Sequence, residues 1–329
     1  MIDMTAIILV NWNGADDTIA CLESLRAVDT PHFVVIADND STDDSVERIQ
    51  GWLDTHSGEG YVKDYSLLRL DANYGFAIGN NKAVAFAMQK NPEYCMLLNN
   101  DTEVVPDFLE KLLAYAGDNP DVRLLSPCIC YHYDKGKVWF SGGKLGFGRR
   151  KNLFAGRPLD SVGKEPFVID FISGCALFFD TSLLGGDGKL LYEGFFFGEE
   201  DYEFSLRMKN RGVKMCCVPS SLIYHKVGAS QKNTNDSRGL GRAYMYYHNR
   251  LICNRLNSGW LSFNIICLLS FFTCIKYFRR YTGSWVTGMR IFSRLMRDVR
   301  RKDGFGYDDF RALMFDNTYF DFDVERDNR

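Results

Sequence analysis

Short apolar runs alternate with longer amphipathic stretches over the first 130 residues, and this alternation restricts the possible folds more than any other feature. The apolar runs have the length of strands and are TAIILV (5–10), FVVIAD (33–38), YSLLRL (65–70), YCMLLN (94–99) and VRLLSP (122–127). Amphipathic stretches of helical length lie between them, at 16–26, 43–53, 76–89 and 106–116. This order predicts an α/β fold in which helices cover both faces of a mostly parallel sheet.

Length, charge and cysteine content narrow the class of protein. The chain has 329 residues, of which 46% are hydrophobic and 25% charged, so it can form one large domain or two ordinary ones. Its net charge of −3 argues against a dedicated nucleic-acid binder, and we expect no nucleic-acid partner. The ten cysteines lack paired CxxC spacing, so we expect buried thiols in a reducing compartment. The N-terminal MIDMTAIILVNWNG predicts a first strand and not a signal peptide.

Polar segments follow the apolar runs, at the positions where a parallel sheet binds its ligands. Ligands of such sheets lie beyond the carboxyl ends of the strands. The segments that follow the first four runs are NWNG, DNDSTDDS, DANYGFAIGNN and NNDTEV. The sequence contains neither GxGxxG in a strand–turn–helix context nor GxxxxGK[ST], so a Rossmann dinucleotide site and a P-loop are both excluded.

Three strand ends carry side chains suited to a nucleotide or a metal ion, and each has a simpler alternative. Asp38 can accept an N–H group of a pyrimidine ring, or can form an Asx turn before the next helix. Asp101 suits a divalent cation that also holds phosphate oxygens, or can cap a helix. His225 ends the later apolar run at 213–225, and it can complete a metal shell or be an ordinary hydrogen-bonded histidine.

The segment FFFGEEDYEFSLRMKNRG (195–212) places four carboxylates directly after an aromatic run. They belong to Glu199, Glu200, Asp201 and Glu203. One interpretation is an ordinary helix start, because acidic side chains complement the positive end of the helix dipole and Gly212 suits a helix stop. The other is a catalytic acid or base.

Seven blocks of the sequence resemble, in order and spacing, the family 2 glycosyltransferases, and in particular their bacterial rhamnosyltransferase-like branch. They are TAIILVNWNG, VVIADNDSTDDS, NYGFAIGNN, LLNNDTEVVPDF, FISGCALFFD, FFFGEEDYEFSLRMKNRG and VPSSLIYHKVGAS. The resemblance covers residues 5 to 255 or so. It implies the GT-A fold, an α/β/α sandwich, and inverting transfer of a sugar from a nucleoside diphosphate donor with Mg²⁺ or Mn²⁺ as cofactor.

The resemblance also implies which residues bind the donor. Asp38 matches the aspartate that reads the nucleobase, with Val10 and Asn11 beside it. Asn73 and Gly75 match positions that line the nucleotide pocket.

Four further positions match the family near the ribose, the metal ion and the donor sugar. The family has a DxD motif where this chain has NND (99–101), so metal binding would rest on Asp101 with His225. Asn100 would lie near the ribose. Gly174 matches a position where the backbone approaches the donor sugar.

The acidic segment matches the family's ED motif. Asp201 corresponds to the catalytic base, and its neighbour Glu200 to the preceding acid of the motif. Neighbouring carboxylates and aromatic rings would raise the pKa of such an acid. Glu199 and Glu203 are expected to be mainly helix-start and surface charges.

From about Arg242 the chain becomes aromatic, apolar and basic. Its apolar core WLSFNIICLLSFFTCI is short for a spanning helix, which needs about 20 apolar residues. The following stretch, KYFRRYTGSWVTGMRIFSRLMRDVRRK, predicts a basic amphipathic helix that suits an anionic membrane surface, or packing on the catalytic domain or a partner subunit. We therefore expect a GT-A catalytic domain at 1–241 and a membrane-associating helical region at 242–329.

Together these features predict a cytoplasmic inverting glycosyltransferase at the inner face of the cell membrane, acting in cell-surface polysaccharide synthesis. Its partners would be a nucleoside diphosphate sugar such as dTDP-rhamnose, a glycan or lipid-linked acceptor, and the anionic membrane surface. One alternative keeps the class and changes the donor to UDP-galactose, UDP-glucose or a UDP-N-acetylhexosamine. Another is a sugar nucleotidyltransferase, although NWNGADDT lacks the basic residue expected near a triphosphate. The third, an inactive binding subunit, is disfavoured because Asp101, Asp201 and His225 occur together.

Overall fold

The strands form one large sheet and a separate hairpin in the computed structural model, which describes residues 4–56, 62–227, 238–316 and 319–320. The strands are β1 (Thr5–Asn11), β2 (His32–Asp38), β3 (Val62–Arg69), β4 (Tyr94–Leu98), β5 (Thr102–Val104), β6 (Val122–Tyr131), β7 (Asp134–Phe140), β8 (Gly143–Gly146), β9 (Arg149–Asn152), β10 (Phe167–Ile169), β11 (Ala176–Asp180) and β12 (Lys214–His225). The order in the large sheet is β10-β12-β6-β11-β4-β1-β2-β3, with β5 beside β12 and β7 beside β6. Strands β8 and β9 form the hairpin.

Strands β3, β2, β1 and β4 form a parallel half of the sheet. Alternate residues of β1 enter two different cores, with Ile7 and Leu9 on one face and Ala6 and Ile8 on the other. Burial on both faces explains why these strands read as continuous apolar runs and not as alternating ones. The predicted α/β class is confirmed.

The other half of the sheet is mixed. Strand β11 runs antiparallel to both β4 and β6, while β6 and β12 are parallel. The start of β11 therefore lies at the same edge as the carboxyl ends of β1, β2, β4, β6 and β12, and we call this edge the C-terminal edge. Strand β5 pairs with the last residues of β12, with Thr102 opposite His225.

Helices cover both faces of the sheet. They are α1 (Ala15–Arg26), α2 (Ser45–His56), α3 (Gly75–Ala87), α4 (Phe108–Asp118), α5 (Glu200–Asn210), α6 (Arg238–Asn257), α7 (Trp260–Thr282), α8 (Trp285–Arg301) and α9 (Tyr307–Phe315). Buried residues of α1, α2, α4 and α6 to α9 belong to one core, and those of α3 belong to the other. All ten cysteines are free thiols and nine are buried, as predicted.

Helix α7 is longer than the apolar core at 260–275 suggests. It continues to Thr282, and its 23 residues are long and apolar enough to cross a membrane by length and composition. One face packs on the protein through residues such as Ile266 and Phe278, while Leu268 and Phe272 on the other face are exposed. The length of α7 would allow it to span a membrane. Its packing on the protein along one side suits a helix that lies on a membrane surface.

Helix α8 is amphipathic, as predicted. The apolar positions expected from three- and four-residue steps are Trp285, Met289, Phe292, Met296 and Val299, and of these five Val299 is buried. Gly288, Ile291, Leu295 and Val299 are buried, and α8 packs on α7. Trp285, one of the expected apolar positions, is half exposed. Packing against a neighbouring helix thus accounts for one face of α8.

Candidate active site

The ends of β1 and β2 form the first part of the site. Asn11 and Asp38 are register partners, so their side chains lie next to each other. The buried Asp38 carboxylate accepts hydrogen bonds from Asn11 Nδ2 at 2.7 Å, from the Ser41 backbone amide at 2.9 Å and from Ser41 Oγ at 2.6 Å. Val10 precedes this pair and packs on the core that contains α3. The Asp38 carboxylate is therefore held in one orientation at the C-terminal edge.

A second group of contacts joins the segments that follow β2 and β3. The side chain of Asn39 donates to Asn73 Oδ1 at 3.0 Å and accepts from the Tyr74 backbone amide at 3.0 Å. Asn73 Oδ1 also accepts from the backbone amide of Gly75 at 3.0 Å. Asn73 thus lies beside the Asp38 segment, and it also fixes the turn that starts α3.

Gly75 connects this turn to the acidic segment. Its φ of +75° favours glycine, and a Cβ there would lie 2.0 Å from the Phe196 carbonyl oxygen. The backbone amide of Phe76 donates to the same oxygen at 3.3 Å. Close approach of two backbones therefore requires glycine at this position.

Asn100 lies against the end of β1. Its Nδ2 donates to Thr18 Oγ1 at 2.9 Å and lies 3.5 Å from Asn11 Oδ1. Thr18 in turn donates to Asn11 Oδ1 at 2.8 Å. Asn100 and Asp38 therefore lie on either side of Asn11.

Asp101 and His225 are brought together by the pairing of β5 with β12. His225 Nε2 lies 3.1 Å from Asp101 Oδ1, and both side chains are largely buried. The ring of Trp139 packs on His225 with 4.5 Å between ring centroids. The backbone amide of Lys226 donates to the Asp101 carbonyl at 3.0 Å, which closes the contact between the two segments.

The chemistry of this pair fits a divalent cation. Asp101 Oδ1 and His225 Nδ1 are both buried without a well-directed hydrogen bond from the part of the chain that the structure describes. A carboxylate and an imidazole are both ordinary ligands of divalent metals. Among the described residues, no group of three or more His, Cys, Asp or Glu could hold a metal. A cation at this pair would therefore need oxygen ligands from a substrate or water.

The segment before β11 lies close to both Asp101 and Asp201. The Asn99 backbone amide donates to the Cys175 carbonyl at 2.8 Å. Burial raises the pKa of the Cys175 thiol, and the Asp101 and Asp201 carboxylates raise it further. A Cβ on Gly174 would lie 3.7 Å from the Asp201 Cβ and 3.1 Å from the Phe76 ring. The backbone at Gly174 and Cys175 thus lies close to both the Asp101 and the Asp201 carboxylates.

Glu199 lies in a buried ion pair, so the expectation of a surface charge is wrong. Its φ is +76°, and Arg250 of α6 donates to its carboxylate through Nε. Asn249 Nδ2 donates to the carbonyl oxygens of Phe197 and Gly198, at 3.2 and 3.0 Å. Helix α6 therefore holds the residues that precede α5. Because this contact buries the Glu199 carboxylate, Arg250 of α6 compensates its charge.

Glu203 is also buried, which corrects the second expectation of a surface charge. It is 2% exposed and pairs with Arg207 Nε at 3.0 Å. Asn257 Nδ2 at the end of α6 donates to the same carboxylate at 3.3 Å. Glu199 and Glu203 both contact α6. The acidic sequence pattern alone does not reveal that α6 packs against α5.

Glu200 has no partner for one of its carboxylate oxygens. Its Oε2 is buried and accepts no hydrogen bond from any residue that the structure describes. Burial, and then the neighbouring Asp201 carboxylate, raise the pKa of Glu200 to about 8. Glu200 therefore keeps its proton to higher pH than an ordinary glutamic acid.

Asp201 is partly exposed and has a cationic partner. Arg150 Nη1 on β9 donates to its Oδ1 at 3.3 Å, and the side chain of Asp201 is 20% exposed. Burial raises the pKa of Asp201, as the sequence predicted for an acid in this segment, while Arg150 acts in the opposite direction. Of the two acids in the ED pair, Asp201 is the one whose ionised form is stabilised by an arginine.

The C-terminal residues contact the aromatic run directly. The Phe196 backbone amide donates to the Phe305 carbonyl at 2.8 Å, and the Phe196 ring packs on Phe310 with 4.9 Å between centroids. A Cβ on Gly304 would lie 1.7 Å from the Gly194 carbonyl oxygen. The C-terminal region thus packs against the residues that precede α5, next to the candidate site.

Sequence reasoning missed the two arginines of the site. Arg150 and Arg250 each lie 51 positions from their carboxylate partners, so no local spacing connects them. The segment GFGRRKN (146–152) is basic and rich in glycine, but nothing in its sequence marks Arg150. Thr18 and Ser41 lie beside predicted residues and could have been found as their local hydrogen-bond partners.

Comparison with known sequences gives two relatives. The chain is 30% identical over 140 residues to the uncharacterized glycosyltransferase YibD of Escherichia coli, covering 41% of this chain and 37% of YibD. It is 26% identical over 220 residues to the O-antigen biosynthesis protein RfbC of Myxococcus xanthus, covering 61% of this chain and 16% of RfbC. The chain therefore spans well under two thirds of either relative.

Solved structures share the fold. A mannosyltransferase from Pyrobaculum calidifontis, PcManGT, in complex with GDP-Man and Mn²⁺ is 14% identical with a TM-score of 0.55, covering 98% of this chain and 86% of PcManGT. Residues 1–349 of S. aureus TarS, in complex with UDP, are 14% identical with a TM-score of 0.55, covering 99% of this chain and 92% of that one. This likeness shows the fold and confirms the predicted GT-A architecture.

The family follows from the sequence itself. The Glycosyl transferase family 2 profile matches residues 6–183, which extend from β1 to the residues just after β11. Because this match covers more than half of the 329 residues, the chain belongs to glycosyl transferase family 2.

Proposed function

We propose that the chain is an inverting, metal-dependent glycosyltransferase that moves a sugar from a nucleoside diphosphate to a hydroxyl of a glycan or lipid-linked acceptor. The observation that carries this proposal is the gathering of Asp38, the Asp101–His225 pair and Asp201 at one edge of the sheet. The name of RfbC, an O-antigen biosynthesis protein, favours a role in cell-surface polysaccharide synthesis.

The nucleotide would lie at the ends of β1, β2 and β3. Asp38 would accept an N–H group of the base, since its carboxylate is already oriented by Asn11 and Ser41. Val10, Asn11, Asn73 and Gly75 would line the same pocket, and Asn100 would lie near the ribose. Gly174 would allow the backbone to approach the donor sugar.

Asp101 and His225 would hold Mg²⁺ or Mn²⁺ together with oxygens of the donor diphosphate. Such an ion supplies positive charge that stabilises the departing diphosphate. The PcManGT complex contains Mn²⁺ with its donor, which supports a divalent cofactor for this chain. The close approach of the largely buried Asp101 carboxylate and His225 imidazole, with 3.1 Å between Oδ1 and Nε2, is the feature of this chain that supports it.

Asp201 would act as the general base. It would take the proton of the acceptor hydroxyl as the hydroxyl oxygen bonds to the anomeric carbon and the bond from that carbon to the diphosphate breaks. Attack from the side opposite the diphosphate inverts the anomeric configuration. Glu200 suits this role less well, because burial and the neighbouring Asp201 carboxylate raise its pKa to about 8 and so lower its ionised fraction at neutral pH. As a protonated acid it can instead donate a hydrogen bond that orients the acceptor.

Helices α7 and α8 would bind the inner face of the cell membrane. The exposed apolar side chains of α7 include Trp260, Leu261, Leu268 and Phe272, and α8 contributes exposed arginines at 290 and 300. Apolar burial combined with basic charge is what stable binding to an anionic surface requires. We propose peripheral binding, because the other face of α7 packs on the protein. A lipid-linked acceptor would be reached from this surface.

A donor panel tests the proposed function. The full chain is incubated with Mn²⁺ or Mg²⁺ and with dTDP-rhamnose, UDP-galactose, UDP-glucose, UDP-N-acetylglucosamine or GDP-mannose, and release of the nucleoside diphosphate is measured. We expect one donor to be hydrolysed in a metal-dependent way, with dTDP-rhamnose first because of the sequence resemblance. Formation of a nucleotide sugar from a sugar phosphate and a nucleoside triphosphate, with no donor hydrolysed, would instead indicate a nucleotidyltransferase.

A further inference from the structure

The β8–β9 hairpin brings one arginine to the acidic start of α5. Arg150 Nη1 lies 3.3 Å from Asp201 Oδ1, and Arg150 Nη2 lies 4.0 Å from Glu199 Oε1. Its guanidinium carbon lies 4.8 Å from the centroid of the Phe171 ring. An arginine that contacts two carboxylates and an aromatic face has a defined position despite its partial exposure.

We propose that Arg150 is a positioning residue that keeps the Asp201 carboxylate ionised and correctly oriented between turnovers. This inference rests on the proposed role of Asp201 as the general base. It assigns to the β8–β9 hairpin, which lies outside the large sheet, a direct part in setting up the reaction.

The charges around Asp201 give Arg150 this role and not Arg250. The charged groups that face Asp201 are Arg150 from β9, Glu199 and Glu200 from the start of α5, and Arg250 from α6. The buried thiols of Cys175, before β11, and Cys253, on α6, also lie near it, and burial raises the pKa of both. Arg250 is already bound to Glu199 through its Nε, and its guanidinium carbon lies 3.6 Å from the Tyr202 ring centroid. Arg150 is therefore the arginine that contacts Asp201 directly.

The effect of Arg150 opposes that of burial. Burial raises the pKa of Asp201, and the Glu199 carboxylate raises it further, whereas Arg150 lowers it. The backbone amide of Gly174 acts in the same direction as Arg150. Without Arg150, a carboxyl group surrounded by two other acids would hold a proton at higher pH and would be a base less of the time.

The hairpin is anchored so that Arg150 stays near Asp201. Strands β8 and β9 pair over four residues, with Leu145 opposite Arg150. At the tip, a Cβ on Gly148 would lie 2.7 Å from an Ile266 side-chain carbon of α7, which places the two segments in contact. Arg250 Nη1 lies within 3.4 Å of the Gly148 carbonyl, so the two arginines support the same structure.

A titration of Asp201 itself tests the proposal without knowledge of the donor. Protein labelled with ¹³C at aspartate Cγ is titrated by NMR, and the Asp201 signal is identified by its absence in Asp201→Asn. In Arg150→Gln we expect the Asp201 midpoint to rise by about 1 to 3 pH units, the usual effect of an opposite charge at this distance. Arg150→Lys keeps the positive charge but not the planar guanidinium. The Asp201 midpoint in this variant should therefore lie between those of the wild type and Arg150→Gln.

The matched control is Arg149→Gln, which removes the same charge from an exposed neighbour on the same hairpin. Its Asp201 midpoint should equal that of the wild type. An unchanged midpoint in Arg150→Gln, or equal shifts in Arg149→Gln and Arg150→Gln, would overturn the proposal. Circular dichroism and urea unfolding of each variant establish that it is folded, and Arg150→Lys provides a second variant should Arg150→Gln unfold.

The pH dependence of dTDP-rhamnose hydrolysis, or of whichever panel donor is hydrolysed, gives an independent readout. Because loss of Arg150 raises the pKa of the base, the acidic limb of the profile should move to higher pH in Arg150→Gln and stay in place in Arg149→Gln. If Asp201→Asn keeps normal activity, the assignment of the base fails, while the NMR titration still decides whether Arg150 controls the ionisation of Asp201.

Discussion

The polar residues beside the two halves of the sheet are held by different means. In the parallel half, Asp38 is held by Asn11, the last residue of the adjacent β1, and by Ser41 just after β2. Beside the mixed half, Glu199 and Asp201 at the start of α5 are held by Arg250 and Arg150, which come from a C-terminal helix and a separate hairpin. The first half is organised by strand register, and the second by contacts between distant segments.

This difference explains which parts of the site tolerate change. Polar groups at strand ends keep their positions as long as the sheet forms, because register fixes them. Charges that depend on a remote partner are lost when either segment moves, and a buried charge without its partner is costly. The predictions that follow test this contrast.

The largest expected effect is on the rate of transfer. Asp201→Asn is nearly isosteric, so folding and donor binding should survive while transfer falls about 10² to 10⁴-fold, the usual contribution of a general base. The rate is measured with the donor that the panel identifies. Glu200→Gln is the comparison, and it should cost less because the amide resembles the protonated acid that burial favours. Normal transfer by Asp201→Asn together with inactive Glu200→Gln would make Glu200 the base.

The next effect is on stability and tests the remote contacts directly. Glu199→Ala leaves Arg250 buried without its partner, and we expect a loss of about 3 to 5 kcal/mol in the free energy of unfolding. Urea unfolding followed by circular dichroism measures it. The control is Asp121→Ala, which removes an exposed partner of Lys214 and should leave the midpoint unchanged. Equal small losses in both variants would contradict the contrast between the two halves.

Donor binding should depend on Asp101, where the two halves meet. Asp101→Ala removes the carboxylate of the proposed metal pair, so donor affinity measured by calorimetry with Mn²⁺ should fall at least about 10- to 100-fold, the cost usual for losing even an outer partner of a metal. Without metal, the variant and the wild type should bind equally. Asp16→Ala, an exposed acid at the start of α1, is the control and should behave as the wild type. Unchanged affinity in Asp101→Ala would remove it from the metal site.

The smallest expected effect is on membrane binding and comes from the exposed face of α7. Phe272 is 69% exposed, and Phe272→Gln should weaken binding to phosphatidylserine vesicles in a flotation assay by about tenfold, since burial of such a side chain contributes about 1.5 to 3 kcal/mol. Donor hydrolysis in solution should be unchanged. Tyr133→Gln, an exposed aromatic at the β6–β7 turn, is the control. Full-length protein that never floats with vesicles would mean that α7 serves another contact.

Deletion of the C-terminal helices is a poor test of membrane binding. Removing the chain after about Arg255 would release it from vesicles, as the sequence predicts, but it would also remove Phe305 and Phe310 from the aromatic run before Glu199. Single substitutions on α7 separate the two effects.

The fold and the parallel half of the site could be predicted from the sequence because their signals are local. Apolar runs located the strands, and polar residues at the run ends located Asn11, Asp38 and Asp101. The burial of Glu199 and Glu203 could not be predicted, because acidic residues at a helix start look alike whether or not α6 covers them. Arg150 could not be found either, since the hairpin that places it leaves no spacing signal in the sequence.

The contact between the Phe196 amide and the Phe305 carbonyl also has a consequence for synthesis. The ribosome adds Phe305 about 110 residues after Phe196, which takes roughly 5 to 20 s at ordinary translation speeds. During that time the strands and the nucleotide pocket can form, whereas the residues before the general base have no support from the C-terminal segment. We therefore expect a nascent chain to acquire donor binding before it acquires transfer.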